Sequence, residues 1–240
     1  METRYNRQVA CSFIGPSGQD IIRKSRIAVI GCGALGTIIA DNLTRAGVGE
    51  LFILDFDTVD ESNLQRQVLF TEENIGEKKV VAAKKRLKMV NSQVLINIRD
   101  GRLTRDNQDQ LLEGYDCLID ATDNIECSLL LNEFAVHNRV NMVFGGIAGE
   151  EGNIMVYQPG GPCLACIAPS DLSAVPTAQT HGIIPSLPVT TGGIMVTETL
   201  KCLLNSPSLL RRWLKFHLWD TSWRLYEIDK NPGCTICRDY

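Results

Sequence analysis

Residues 26–36 read Arg-Ile-Ala-Val-Ile-Gly-Cys-Gly-Ala-Leu-Gly, a short β-branched apolar run ending in glycines at the spacing Gly-x-Gly-x-x-Gly. Apolar residues then recur at helical spacing from Ala34 to Ala46, and Gly47 closes the stretch. A strand, a tight turn and a helix in that order commit the chain to an α/β design. The glycines let a ligand approach the backbone, while the helix N-terminus presents unsatisfied N–H groups and the positive end of a dipole. An anionic group is expected there. Asp55, at the end of the next strand, can accept hydrogen bonds from ribose hydroxyls. These features accommodate a dinucleotide such as NAD as readily as ATP.

The rhythm continues along the chain. Glu50–Asp55 reads as a second strand, Gly76–Val90 as a helix with Val80, Ala83, Leu87 and Val90 on one face, and Val94–Arg99 as a third strand. Asp106–Leu112 (helix), Asp116–Asp120 (strand), Ile125–His137 (helix) and Asn141–Gly145 (strand) follow. Such alternation predicts a Rossmann-like, mostly parallel sheet with helices on both faces. After Gly149 the strands Gly152–Tyr157, Leu214–Leu218 and Trp223–Ile228 crowd together, which predicts an antiparallel extension. Four of the nine prolines fall between Pro169 and Pro188, so 169–189 is expected to be a long loop before a helix over Thr190–Leu204. The organisation expected is one domain, 1–240, with a nucleotide-binding half (1–150) and a substrate-binding half (151–240).

With 24 Lys+Arg against 28 Asp+Glu the formal charge is −4, which gives no general attraction to nucleic acid or an anionic membrane. The longest apolar candidate, Ile27–Ala40, is too short to span a bilayer and carries three glycines. The polar start METRYNRQVA has no signal-peptide pattern, so a mature cytoplasmic chain is expected. The basic run Lys84–Lys88 lies opposite an apolar helix face and reads as solvated. His137, His181 and His217 lack metal-ligand spacing, and only His181 lies in a segment a substrate could meet.

Nine cysteines, an odd number, argue for thiols. Two pairs, Cys163-Leu-Ala-Cys166 and Cys234-Thr-Ile-Cys237, have the spacer that lets four sulfurs converge on one tetrahedral ion. A closed four-cysteine zinc knot joining distant segments is expected. Cys32, Cys117, Cys127 and Cys202 lie in apolar surroundings and read as buried filler.

Beyond Asp55 the chain carries Asp57, Asn63, Arg66 and Gln67, with Lys79 and Asp123 further on and Arg7 near the start. A nicotinamide needs no such ionic set. It suits a triphosphate neutralised by arginine and lysine, with Asp123 available to Mg²⁺. An oxidoreductase or a silent binding module would leave these residues idle.

Taken together, RYNRQ, GxGxxG, DFDTV, SNLQRQ, the GxxK helix, TDN and both Cys-x-x-Cys pairs resemble the MoeB/ThiF/HesA family, relatives of the ubiquitin-activating enzymes. The resemblance implies a homodimer that binds ATP-Mg²⁺ and adenylates the C-terminal glycine of a small ubiquitin-like protein, usually a sulfur carrier. It implies that Gly31, Gly33, Ala34 and Gly36 line the nucleotide, with Asp57 and Gln67 in the same cofactor-binding set. By the same resemblance Asp55 holds the ribose, Asn63, Arg66 and Lys79 contact the phosphates, and Asp123 carries Mg²⁺. Arg7 matches an arginine that reaches the opposite subunit's nucleotide, so Arg66, Lys79, Asp123 and Arg7 form the implied catalytic set. Many relatives carry a cysteine in the proline-rich loop. Reading back from Gly192-Gly193 places Ala178 there, and no cysteine lies between Cys166 and Cys202. The expected activity therefore ends at the acyl-adenylate, formed on a sulfur carrier or, alternatively, on a small-molecule or peptide carboxylate.

Overall fold

A computed structural model of the chain describes residues 3–168, 172 and 178–240, and the side chains of all of these but 3, 178 and 179. Eight strands form one sheet: β1 (Arg26–Ile30), β2 (Glu50–Asp55), β3 (Leu95–Asp100), β4 (Cys117–Asp120), β5 (Asn141–Ala148), β6 (Glu151–Tyr157), β7 (Trp213–His217) and β8 (Ser222–Tyr226). Their order is β3-β2-β1-β4-β5-β6-β7-β8. The first five are parallel and the last three run antiparallel to their neighbours.

The central parallel strands β1, β2 and β4 are apolar along most of their length because both faces are covered, whereas the edge strand β3 ends in exposed Arg99 and Asp100. Along β1, Ile27 and Val29 enter one core with the helix residues Ile39 and Leu43. Ala28 and Ile30 enter a second core with Leu131 and Phe134. The first face is covered by α3 (Ala34–Ala46), α4 (Lys79–Val90) and the later α8 (Ser186–Leu203), and the second by α5 (Gln108–Leu112) and α6 (Ile125–His137). Gly47, at φ 79°, ends α3 by donating to the Leu43 and Thr44 carbonyls. Asn124 opens α6, its side chain accepting from the Cys127 N–H at 2.9 Å.

Expected and observed elements agree within two residues for α3, α6 and every strand but β5, which runs three residues beyond the expected Gly145 to Ala148. Three differences matter. The N-terminal segment, unassigned from sequence, forms α1 (Asn6–Val9) and α2 (Gly15–Lys24). The helix expected from Gly76 starts at Lys79, because Gly76 (φ 83°) still belongs to a turn. The loop 169–189 is interrupted by the short α7 (Ala178–His181), and α8 begins at Ser186, not Thr190. Pro188 sits in the first turn of α8, where the N–H that proline lacks has no intrahelical partner anyway. Residues 169–171 and 173–177 of that loop lie outside the described residues. Lys85, Arg86 and Lys88 of the basic run are exposed on α4, while Leu87 within it is buried with Val80 and Ala83. Among the described residues no helix is long and apolar enough to cross a membrane.

Candidate active site at the strand ends

The strand connections leave β1 in opposite senses, toward β2 on one side and β4 on the other, so a crevice opens at the C-terminal ends of β1 and β4. Gly31 turns the chain there with φ 97°, and a Cβ on it would stand 2.5 Å from the Ala121 carbonyl oxygen. A Cβ on Gly36 would overlap the Gly31 carbonyl, so these two glycines are required by packing. Gly33 differs: the nearest atom to its hypothetical Cβ is Gln67 Nε2, 3.9 Å away. The backbone there faces open space, and Gly33 stands at the N-cap of α3 with no side-chain cap. Its first-turn N–H groups and dipole face the crevice, a cradle suited to phosphate.

The surrounding groups are fixed by their own bonds. Asp55 accepts from Cys32 N–H (2.6 Å) and from Asp57 N–H (2.8 Å), which ties the glycine turn to the end of β2. Burial raises the Asp55 carboxyl, and these two backbone donors oppose the shift. Lys79, only 7% exposed in its side chain, places Nζ 2.9 Å from Asp57 Oδ2, while its backbone N–H donates to the Asp57 carbonyl at 3.1 Å. A buried cation held by one carboxylate stands ready for a second anion. Asn63 and Arg66 lie on the segment that follows: Asn63 Oδ1 accepts from Asp60 N–H (3.3 Å), and Arg66 Nη1 donates to the Ser62 carbonyl (2.8 Å). Gln67 is buried, and its Oε1 has no protein partner, an acceptor left for a ligand hydroxyl or amine.

Across the crevice, exposed Asp123 follows the end of β4. Asp120, which the sequence reading passed over as a site residue, is 1% exposed. Its Oδ1 accepts from Thr122 N–H (3.0 Å) and Oγ1–H (2.8 Å), but its Oδ2 has no partner. Burial pushes this carboxyl up to about 6, and Asp123 adds to the shift. Two neighbouring carboxylates, one orphaned and one exposed, fit the oxygen-ligand chemistry of a divalent cation. Nothing in the sequence distinguished Asp120 from an ordinary strand end; only the missing partner does.

Arg7 is not with the others. Its helix α1 is anchored at the far end of the sheet: Gln8 Nε2 donates to the Ala46 carbonyl (3.0 Å), and the Tyr5 hydroxyl accepts from Asn91 Nδ2 (2.8 Å). Thirteen residues of α3, about 20 Å, separate this end from Gly33.

The four paired cysteines do come together. Cys163 and Cys234 sulfurs are 3.8 Å apart, Cys166 and Cys237 3.4 Å, and all four lie within 4.8 Å of one another. A tetrahedral ion with sulfur ligands at about 2.3 Å needs edges of about 3.8 Å, so the cluster fits zinc. Cys32, Cys117 and Cys202 are buried as expected, and Cys127, half-buried, packs against the second core.

A sulfur carrier protein adenylyltransferase of Thermus thermophilus is 35% identical to this chain over 245 residues, 98% of this chain and 90% of that protein. The sulfur carrier protein ThiS adenylyltransferase of Bacillus subtilis is 39% identical over 210 residues, 85% of this chain and 61% of that protein. Among solved structures, Escherichia coli MccB with MccA-N7isoASN superposes with a TM-score of 0.87 at 19% identity, over 99% of this chain and 75% of that one. The glycine turn and ionic ring thus sit in a shared fold, and because the model of the ThiF family matches residues 5–236, this chain belongs to that family.

Proposed function

We propose that the chain is an ATP-dependent adenylyltransferase that activates the C-terminal glycine of a ubiquitin-like sulfur carrier as its acyl-adenylate, releasing pyrophosphate. The observation that carries this reading is the uncapped N-terminus of α3 above open Gly33, ringed by Lys79, Gln67 and the Asp120–Asp123 pair. Full-length similarity to sulfur carrier protein adenylyltransferases supports it. The chain is read as one adenylation unit, with residues 1–150 holding the nucleotide and 151–240 the acyl substrate. We place it in the cytoplasm, where its cysteines remain thiols.

The α3 N-terminus, Ala34, Asn63, Arg66 and Lys79 hold the triphosphate, while Asp55 and Gln67 take the ribose side. Asp57 fixes the Lys79 ammonium so that the cation need not reorganise during the reaction. A C-terminal carboxylate, ordinarily ionised above a pKa of about 3.3–3.7, attacks the α-phosphorus without a general base. The new O–P bond forms as the bridging P–O bond breaks, and pyrophosphate leaves with the electron pair. Asp123 would hold Mg²⁺, which would supply positive charge against this crowding of anions. The residues act by orientation and charge, and no side-chain nucleophile is needed.

Among the described residues no thiol is placed to accept the acyl group. The sequence has no cysteine between Cys166 and Cys202. Burial pushes the Cys127 thiol up to about 12, with Asp120 reinforcing the shift, and burial raises Cys32 as well. Arg7, a helix length from its own Gly33, is read as serving the partner's site in a homodimer.

A pyrophosphate–ATP exchange screen tests the reading. Sulfur-carrier proteins ending in glycine are expected to drive exchange, and small carboxylic acids are not. Exchange driven only by a small acid or a peptide would move the substrate to that class; exchange with neither would remove the proposal.

A further inference from the structure

Asn132, in the middle of α6, is fully buried. Its Oδ1 accepts from the Leu164 N–H at 2.8 Å. A backbone N–H can only donate, so this bond fixes which end of the amide is oxygen and leaves Nδ2 facing away from Leu164. Nδ2 has no conventional hydrogen-bond partner in the protein, although a buried amide N–H₂ left unpaired is costly. Leu164 follows Cys163 directly, so this bond holds the buried Asn132 amide beside the Cys163 segment of the knot.

Of the other sulfurs, Cys166 has a backbone donor, the Asn231 N–H at 3.5 Å. A tetrathiolate zinc carries net negative charge, here among Leu131, Phe134 and Tyr157, and buried charge requires N–H donors around it.

We infer that Asn132 is a positioning residue of the metal knot, its Oδ1 fixing the backbone after Cys163 and its Nδ2–H donating to the Cys163 thiolate. Its orphaned N–H₂ finds its acceptor once that sulfur is ionised by a bound metal. Asn132 thereby links α6, which begins beside Asp123, to the Cys-x-x-Cys segments. This inference rests on the reading of the four cysteines as a zinc site and is independent of the adenylation chemistry.

The test is made on the full chain, with Asn132→Asp, which keeps the acceptor for Leu164 N–H but removes the N–H₂, and Asn132→Leu, which removes both. Competition with a chromophoric chelator is expected to show zinc held about 10–100-fold less tightly in both variants. With Co²⁺ in place of zinc, the thiolate-to-metal charge-transfer bands are expected to move to lower energy, because loss of the N–H···S bond makes the sulfur a stronger donor. A merely structural asparagine would leave those bands unmoved. In the unaltered chain loaded with ¹¹³Cd, the Asn132 side-chain amide protons are expected to correlate with the metal, a reading that needs no variant to fold. Folded variants with unaltered zinc affinity and cobalt spectrum, or a ¹¹³Cd-loaded chain without that correlation, would overturn the role of Asn132. A purified chain that binds neither zinc nor cobalt would instead overturn the metal site itself.

Discussion

The nucleotide crevice and the cysteine knot are both assembled from residues far apart in sequence, yet they are held together by different forces. In the crevice the protein neutralises its own charges: Lys79 is paired with Asp57, and Asp55 is bonded to two backbone N–H groups. The strand ends set these positions, so the crevice keeps its shape before any ligand arrives. In the knot four sulfurs crowd within 4.8 Å, an arrangement that repels itself once the thiols ionise. One site is organised by the sheet, the other by what it binds. Losing a ligand group should therefore abolish chemistry without unfolding in the first case, and weaken the fold in the second.

The largest effect separates them directly. Arg66→Ala and Asp123→Ala are each expected to reduce pyrophosphate exchange by about 10²–10³-fold with the melting temperature nearly unchanged. A large loss of stability in either would mean that the crevice also depends on its ligand groups. Cys163→Ser is expected to lose the zinc found by elemental analysis and to melt about 5–15 °C lower, corresponding to a few kcal/mol in a chain of this size. A metal-free variant as stable as the parent would break the contrast from the other side. Equal mixtures of Arg7→Ala and Asp123→Ala chains are expected to recover about a quarter of the parental activity, since half the dimers would then hold one intact composite site. No recovery would remove the sharing of sites between subunits.

Asp120→Asn sharpens the comparison within the crevice. The native carboxyl is pushed up to about 6, so the folded state holds its proton where the unfolded chain has released it. Stability is therefore lost as pH rises from about 4 through 6, and the penalty is complete above that window. The asparagine variant should be more stable by up to about 2–3 kcal/mol at pH 8 and no different at pH 4, as denaturant titrations at the two pH values would show. An equal gain at both would rule out ionisation as the cause. The smallest effect expected is none: intact-mass spectrometry after turnover should find no reductant-sensitive acyl adduct.

Much of this was legible in the sequence because period and spacing are local. Val-Ile-Gly at the end of β1 and the helical spacing after it defined the strand, turn and helix, and the Cys-x-x-Cys pairs announced their convergence. Prolines misled where position within a helix decides their meaning, as at Pro188. Helix α2 was hidden by Gly15, Pro16 and Gly18 in its first turn, and it buries only Gly18, Gln19 and Ile22. The distance of Arg7 from Gly33 and the missing partner of Asp120 belong to the folded chain alone. No residue pattern encodes them.

The three glycines of the first turn answer to two different judges. Gly31 and Gly36 are confined by neighbouring backbone, whereas Gly33 borders empty space. In a saturation library sorted first for soluble expression and then for turnover, substitutions at Gly31 and Gly36 would vanish at the first sieve. Those at Gly33 would pass it and be discarded only at the second.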